Sequence, residues 1–139
     1  WEKFFITPWD LDASWGRKWE GSRIDLRAGE FIGVTGVPHT DSRYCRPNGF
    51  FIRMMETNPG GFRTLLKNRW QELRQGDLSL TALTARVEAY RKLLDTSGAF
   101  TREKQKWPEK ISDLDTETTY MLSWIETRLA QMDQYLGNL

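Results

Sequence analysis

Apolar residues recur every three or four positions from residue 47 to the end of the chain, which is the spacing of amphipathic helices. Asn48 can cap the first helix, whose apolar positions are Phe50, Phe51, Met54 and Met55. Asn58 and Pro59 place a cap and a first-turn proline before a second helix, which Gly76 ends. The apolar face of this second helix consists of Phe62, Leu65, Leu66, Trp70 and Leu73.

The same pattern predicts three further helices. Ser79 caps the third, whose apolar face holds Leu83, Val87, Tyr90 and Leu94. A short fourth helix covers residues 98–107 and ends before Pro108. Ser112 opens the fifth and longest helix, which ends at Gly137 and would be roughly 35 Å long. Acidic residues favour its positive N-terminal end, namely Asp113, Asp115 and Glu117. Its apolar stripe, which we expect to face the core, contains Met121, Trp124, Ile125, Leu129, Met132, Tyr135 and Leu136.

Residues 1–46 combine short apolar stretches with turn residues and lack helical spacing. Residues 3–6 form a predicted strand, and residues 23–26 and 30–34 are candidates for two more. The predicted fold is therefore mainly α. It is a single unit, with a short strand and loop portion over residues 1–46 and a helical portion over residues 47–139.

The composition narrows the classes of function. At 139 residues the chain is long enough to bury a sizeable core, and its net charge of +1, with scattered lysines and arginines, offers no patch for nucleic acid. Cys45 is the only cysteine and His39 the only histidine, which excludes a disulfide framework and a cysteine- or histidine-rich metal site. No segment approaches the roughly 18 to 20 apolar residues of a membrane span.

Two carboxylates, Asp10 and Asp12, follow the apolar run of residues 4–6, and the turn-forming Gly16 comes soon after. Hard cations prefer carboxylate oxygens, and Mg²⁺ usually takes only one or two of them together with substrate phosphates. If the strand continues in register, residues two apart point to the same side, so both carboxylates can face one cation. The pattern predicts phosphoryl or nucleotide chemistry, and the alternative is a solvated turn after a strand.

The residues around these carboxylates carry a family resemblance. Pro8-Trp9-Asp10-Leu11-Asp12, followed by Ser14-Trp15-Gly16, resembles the Trp-Asp-x-Asp signature of the CotH family, the spore-coat-type atypical bacterial protein kinases. The later helices are similar to the C-terminal region of that family at Arg69-Trp70-x-Glu72-Leu73-Arg74, Leu78-Ser79, Lys106-Trp107 and Trp124-Ile125-x-x-Arg128-x-x-x-Met132. The resemblance covers most of the chain outside roughly residues 17–46.

The resemblance implies a helical segment like the C-lobe of an atypical protein kinase. It implies that Asp10 binds the metal after a strand, that Asp12 is a second ligand or orients the first, and that Mg²⁺ and ATP are the cofactors. The acceptor would be a hydroxyl of a protein substrate, such as a bacterial coat or surface protein. Leu11 and Asp12 stand where ordinary kinases have the last two residues of Asp-Phe-Gly, so which aspartate is the closer ligand stays open.

The chain begins at Trp1 without a methionine, and we expect it to be a piece of a longer kinase. It contains no Gly-x-Gly-x-x-Gly loop, and no His-Arg-Asp loop precedes Phe4, although kinases place these parts ahead of the metal-binding aspartate. We therefore expect the chain alone to be inactive and to hold no catalytic residue beyond the metal site. The unpaired strand at residues 4–6 and the seven tryptophans predict self-association.

Two other functions fit part of the pattern. Glycosyltransferases also use Asp-x-Asp after a strand, to hold manganese and a sugar nucleotide, but their motif lies among alternating strands and helices. A helical interaction module of a bacterial coat or surface assembly would leave Asp10 and Asp12 with a structural role. The residues upstream of Trp1 separate the three: a lysine strand and a catalytic aspartate for the kinase, an alternating α/β pattern for the transferase, and neither for the module.

A few other charged residues lie beside tryptophans. Arg69 and Arg128 can contact phosphate or stack on an aromatic face, but an ion pair or packing at the edge of the core is the simpler interpretation. A small basic stretch around Trp107, formed by Lys104, Lys106 and Lys110, is interpreted as a solvated face.

Overall fold

The computed structural model describes residues 15–17, 22–23, 49–109 and 113–139. Within these ranges the chain is mostly helical, as predicted. It contains α1 (Gly49–Thr57), α2 (Phe62–Gln75), α3 (Leu80–Thr96), α4 (Ala99–Lys106) and α5 (Leu114–Gly137). None of these helices is long and apolar enough to cross a bilayer. The predicted strands at residues 3–6 and 30–34 lie outside the described ranges, and Arg23 forms an isolated antiparallel bridge with Arg17.

Two of the helices have an N-cap residue whose side chain binds a backbone N–H of the first turn. Ser79 caps α3 as predicted, because its Oγ accepts a hydrogen bond of 3.2 Å from the backbone N–H of Ala82. The cap of α5 is Asp113 and not Ser112, since the Asp113 carboxylate accepts from the backbone N–H of Thr116 at 2.9 Å. This backbone hydrogen bond holds the pKa of Asp113 below its ordinary value.

The start of α2 differs from the prediction that Asn58 caps it directly. A 3₁₀ turn at Pro59–Gly61 comes first, and α2 begins only at Phe62. Gly60 and Gly61 have φ of 60° and 75°, a left-handed backbone that an α-helix does not continue through. The Asn58 side chain nevertheless accepts a hydrogen bond of 2.9 Å from the backbone N–H of Arg63. It therefore still caps an N–H group in the first turn of α2, although it lies four residues before the helix begins.

The core lies where α3 and α2 pack against α5. Leu83 of α3 and Ile125 and Leu129 of α5 are buried together. Half-buried apolar residues surround this cluster: Trp70, Leu78, Val87, Met121 and Trp124. Leu136 of α5 is also buried, and it completes the four buried apolar residues of the described part: Leu83, Ile125, Leu129 and Leu136.

The apolar faces predicted from the spacing are only partly covered. On α5, Met121, Met132 and Tyr135 are half-buried, while the centre of the stripe is in the core. On α3 the face is buried at Leu83 but open further along, where Tyr90 is 70% exposed and Leu94 42% exposed. Within the described structure, the second half of α3 therefore has an apolar face that α5 does not cover.

A polar cluster joins α2 to the end of α5. Asp133 accepts hydrogen bonds from Trp70 Nε1 at 2.8 Å and from Arg74 Nε and Nη2 at 2.9 and 3.0 Å. Arg74 Nη1 also donates to the carbonyl oxygen of Leu78 at 2.6 Å, which ties the loop after α2 into the same cluster. One turn further, Lys67 Nζ donates to the carbonyl oxygen of Gly137 at 2.7 Å. These polar contacts therefore fix α2 to the C-terminal end of α5.

Candidate functional site

The first described residues after the Asp-x-Asp motif in the sequence are Trp15, Gly16 and Arg17, which form a turn. Asp10 and Asp12 themselves lie outside the described residues, so their metal role stays a prediction. Trp15 and Gly16 both have positive φ, 57° and 87°. A bulky residue such as tryptophan rarely adopts this backbone, so the surrounding structure must hold the turn in place.

Gly16 is buried against the side chain of Trp124 in α5. A β-carbon at this position would lie 2.6 Å from Trp124 Cδ1 and 2.7 Å from Cγ. Neither the conformation nor the space therefore admits another residue. The motif glycine is needed both for its positive φ and for the close approach of the backbone to an indole ring.

A hydrogen bond fixes the same glycine to α5. Tyr120 Oη donates to the carbonyl oxygen of Gly16 at 2.7 Å, between residues 104 positions apart in the sequence. Tyr120 and Trp124 are one helical turn apart, so they lie on the same face of α5. The phenol binds the turn and the indole packs against it.

Glu117, one turn before Tyr120, binds two arginines, Arg17 directly after this turn and Arg23 six residues later. Arg17 Nη2 forms an ion pair with Glu117 Oε2, and Arg23 Nη2 donates to Glu117 Oε1 at 3.2 Å. Both guanidinium groups lie against the Tyr120 ring, with Cζ 5.4 Å from its centroid for Arg17 and 4.3 Å for Arg23. We call Glu117, Tyr120 and Trp124 the motif anchor.

An apolar groove between α3 and α5 opens beside the motif anchor. Its volume is about 630 Å³, and Trp15 and Glu117 line it together with Leu83, Val87, Tyr90, Leu94, Met121 and Ile125. The arginines in its lining are already paired, Arg86 with Asp77 at 2.7 Å and Arg91 with Asp115. The groove therefore offers apolar surface and no unpaired positive charge for a phosphate among its described lining residues.

A family model described as CotH kinase protein matches residues 1–132 of this 139-residue chain. The chain belongs to the CotH kinase family. The matched range includes Asp10, Asp12, the turn at Gly16 and the whole motif anchor. Membership indicates a kinase-like parent protein that acts on protein substrates. No curated protein and no solved structure matches the chain.

The described part of this CotH-family chain holds no cluster of three or more histidine, cysteine, aspartate or glutamate residues that could bind a metal ion. Three acidic residues at the start of α5 already make other contacts. Glu117 is bound by arginines, Asp115 by Arg91, and Asp113 caps α5.

The structural interpretations of Arg69, Arg128, Lys104 and Lys106 agree with the structure, whereas Lys110 lies outside the described residues. Arg69 pairs with Glu72 at 2.7 Å on an exposed face of α2, and Arg128 Nη1 donates to Gln131 Oε1 at 3.2 Å. Lys104 and Lys106 are exposed, and Lys106 Nζ lies 5.3 Å from the centroid of the exposed Trp107 ring. None of these described contacts is directed at the motif anchor.

Sequence reasoning missed the motif anchor. It identified Gly16 as a turn residue and Trp124 as a core residue, and it assigned Glu117 to the helix N-terminus. Tyr120 carried no signal, because it lies beside the apolar stripe and its partner is a backbone oxygen far away in the sequence. Arg17 lies in no predicted element, and Arg23 was predicted only as the first residue of a candidate strand. The one available clue was the glycine in the signature, since a motif glycine suggests a close backbone approach.

Proposed function

We propose that this chain is the C-terminal part of a CotH-like protein kinase that transfers the γ-phosphoryl group of ATP to hydroxyls of a protein substrate. The observation that carries the proposal is the family match over residues 1–132, which spans the Trp-Asp-x-Asp signature. Two further observations support it. The motif supplies the carboxylate oxygens that Mg²⁺ prefers, and the residues that follow it are held firmly on the longest helix.

In this proposal Asp10 and Asp12 hold Mg²⁺, with Asp10 as the metal-binding aspartate that follows a strand. The chemistry of the two donors fits a hard divalent cation, because such cations prefer carboxylate oxygens. Bound Mg²⁺ would neutralise charge on the phosphate oxygens of ATP during transfer. The helical portion supports this site, because α5 binds the turn that leaves the motif.

In this proposal the other parts of the kinase site come from residues outside this sequence. The chain contains no Gly-x-Gly-x-x-Gly loop to cover phosphates. We therefore propose that the chain by itself is inactive and binds Mg-ATP poorly. Calorimetric titration of the isolated chain is expected to show no saturation up to millimolar Mg-ATP. A micromolar Kd would show that these residues hold a complete nucleotide site.

The decisive test is Asp10→Ala in the full-length protein, measured by transfer of radiolabelled phosphate from ATP and by a melting curve. Loss of a metal ligand is expected to reduce transfer by about 100-fold or more with an unchanged melting temperature. Asp12→Ala is expected to act in the same direction. Asp95→Ala, which removes an exposed carboxylate of α3, is the matched control and should leave transfer unchanged.

Near-normal transfer by a folded Asp10→Ala variant would refute the metal role. Two other outcomes would replace the kinase assignment. Incorporation of sugar from a nucleotide sugar with Mn²⁺, and none of phosphate, would indicate an Asp-x-Asp glycosyltransferase. Absence of both transfers, with unchanged binding of a coat or surface protein by Asp10→Ala, would indicate a helical interaction module.

A further inference from the structure

We propose that the turn formed by Trp15, Gly16 and Arg17 is a lid on the apolar groove, and that Glu117 is the latch that holds this lid closed. Trp15 and Glu117 both line the groove, together with residues of α3 and α5. The lid acts independently of the metal ion and the nucleotide of the proposed function. It gives the first described turn of the chain control over access to the groove.

Glu117 connects the lid to the groove, because it lies at the boundary between two faces of α5. Met121 lines the groove, whereas Tyr120 donates its hydrogen bond to Gly16 on the adjoining face. At 3.6 residues per turn, position 117 lies between these two faces. Glu117 accordingly lines the groove and also binds the residue that follows Gly16. Its carboxylate therefore fixes the turn at the edge of the groove.

The walls of the groove are held together by contacts that do not involve the lid. Leu83 of α3 and Ile125 of α5 are buried together in the core, and both also line the groove. Arg91 of α3 forms an ion pair with Asp115 of α5, which joins the same two helices at a second place. Movement of the turn away from α5 would therefore uncover the groove and leave its walls in place.

The closed lid has a backbone conformation that tryptophan does not favour by itself. Trp15 has φ of 57°, and a bulky residue persists at positive φ only where surrounding contacts outweigh the cost. This cost is released when the turn leaves α5. Trp15 is also 45% exposed, so its burial stabilises the closed lid less than the burial of a core residue would. The contacts from α5 therefore keep the lid closed.

The latch consists of ion pairs that solvent reaches. Glu117 binds Arg17 and also Arg23, whose backbone forms a bridge with that of Arg17. The side chains of Arg17, Arg23 and Glu117 are 29%, 39% and 28% exposed, so dissolved salt screens their attraction. Partly exposed ion pairs contribute modestly to stability, and a latch built from them can open and close reversibly.

Binding of Nile red, an uncharged apolar dye, to the full-length protein tests the lid, with the fluorescence of the dye as the readout. Glu117→Gln removes the charge of the latch at nearly constant volume. It is expected to tighten binding by about 3- to 10-fold, because a larger fraction of the protein then has an open groove. Trp15→Asn removes the ring and should tighten binding at least as much, and asparagine tolerates the positive φ of the turn. Glu126→Gln, at an exposed carboxylate of the same helix, is the matched control and should leave binding unchanged.

Combined variants separate a lid from a general loosening of the fold. Trp15→Asn with Glu117→Gln should bind the dye no more tightly than Trp15→Asn alone, because a latch has no effect once the lid is absent. Leu94→Ser, at a residue that lines the groove, should weaken the binding seen in Trp15→Asn. Leu65→Ser, at an exposed residue of α2, should not. A melting curve for each variant shows whether the fold is retained.

Several results would overturn the lid. Weaker binding by a folded Trp15→Asn variant would show that Trp15 is a wall of the groove. Unchanged binding in both Trp15→Asn and Glu117→Gln, or binding that Leu94→Ser does not affect, would show that the turn does not control the groove. If Trp15→Asn does not fold, salt decides the question. Raising NaCl from about 0.05 M to about 1 M should tighten dye binding to wild type more than to Glu117→Gln, and equal responses would refute the latch.

Discussion

Removal of the Asp133 carboxylate is expected to loosen the attachment of α2 to α5. Asp133 accepts one hydrogen bond from Trp70 and two from Arg74, at distances of 2.8 to 3.0 Å. The hydrogen bonds from Arg74 hold the pKa of Asp133 below its ordinary value, with a smaller contribution from Trp70. The variant Asp133→Ala removes all three contacts and leaves Arg74 with only its hydrogen bond to the carbonyl oxygen of Leu78.

The magnitude follows from the exposure of the cluster. The Asp133 side chain is 42% exposed and that of Arg74 24%, so water replaces part of each lost contact. At about 1 kcal/mol for each hydrogen bond, the three contribute about 3 kcal/mol. Alanine is the better helix former by about 0.6 kcal/mol, which offsets part of the loss. The net destabilisation is about 2 kcal/mol, and at about 4 °C per kcal/mol for a chain of this size the melting temperature should fall by about 8 °C.

Thermal unfolding followed by circular dichroism measures this change, and a pH series isolates the charge. A carboxylate whose folded-state pKa is lowered stabilises the fold above its ordinary pKa of about 4, and this stabilisation is lost as the pH falls through the folded-state pKa. Wild-type stability should therefore fall between about pH 5 and pH 3 more steeply than that of Asp133→Asn. Glu126→Gln, at an exposed carboxylate on the same helix, is the matched control. A change of less than about 2 °C in Asp133→Ala, or identical pH profiles for wild type and Asp133→Asn, would show that the cluster does not hold the helices together.

Two further predictions concern the core and the groove. Ile125 is 2% exposed, so Ile125→Ala should lower the free energy of unfolding, measured by urea denaturation, by about 3 kcal/mol. Leu65 is 62% exposed, so Leu65→Ala should change it by less than about 0.5 kcal/mol. Similar losses in the two variants would contradict the assigned core. Self-association is predicted from the strand at residues 4–6 and the tryptophans, and the exposed end of the groove adds apolar surface to it. Tyr90→Ser with Leu94→Ser should therefore reduce light scattering across a dilution series more than Leu65→Ser does. A wild-type chain that stays monomeric at millimolar concentration would refute that expectation.

The positions of the helices could be predicted because their signals are local. Ser79 and Gly76 act on backbone groups within one turn, and apolar spacing reports a helical face without knowledge of its partner. The errors were also local. Gly60 and Gly61 have positive φ, so α2 begins after them and not directly after Asn58. The cap of α5 is Asp113 and not the preceding residue that the sequence predicted. Such errors move the end of a helix by a few residues and leave the fold class intact.

The sequence by itself also determined the family and the candidate chemistry. The signature around Asp10 and Asp12 identified the CotH resemblance, and the family match extends over nearly the whole chain. A signature of this kind can be recognised from the sequence, because its chemistry depends on residue type and on close spacing along the chain. Their arrangement in space lies outside the described residues, so the metal role is a matter for the experiments above.

Only the tertiary structure decided which apolar positions are covered and what holds the motif. The spacing of Leu83 and Tyr90 on α3 is equally helical, yet the first is buried by α5 and the second is open, because coverage depends on where another helix crosses. The contact between Tyr120 and the backbone of Gly16 joins residues 104 positions apart and uses an oxygen that every residue possesses. No local pattern encodes such a contact, since it exists only once α5 and the turn have been brought together by folding.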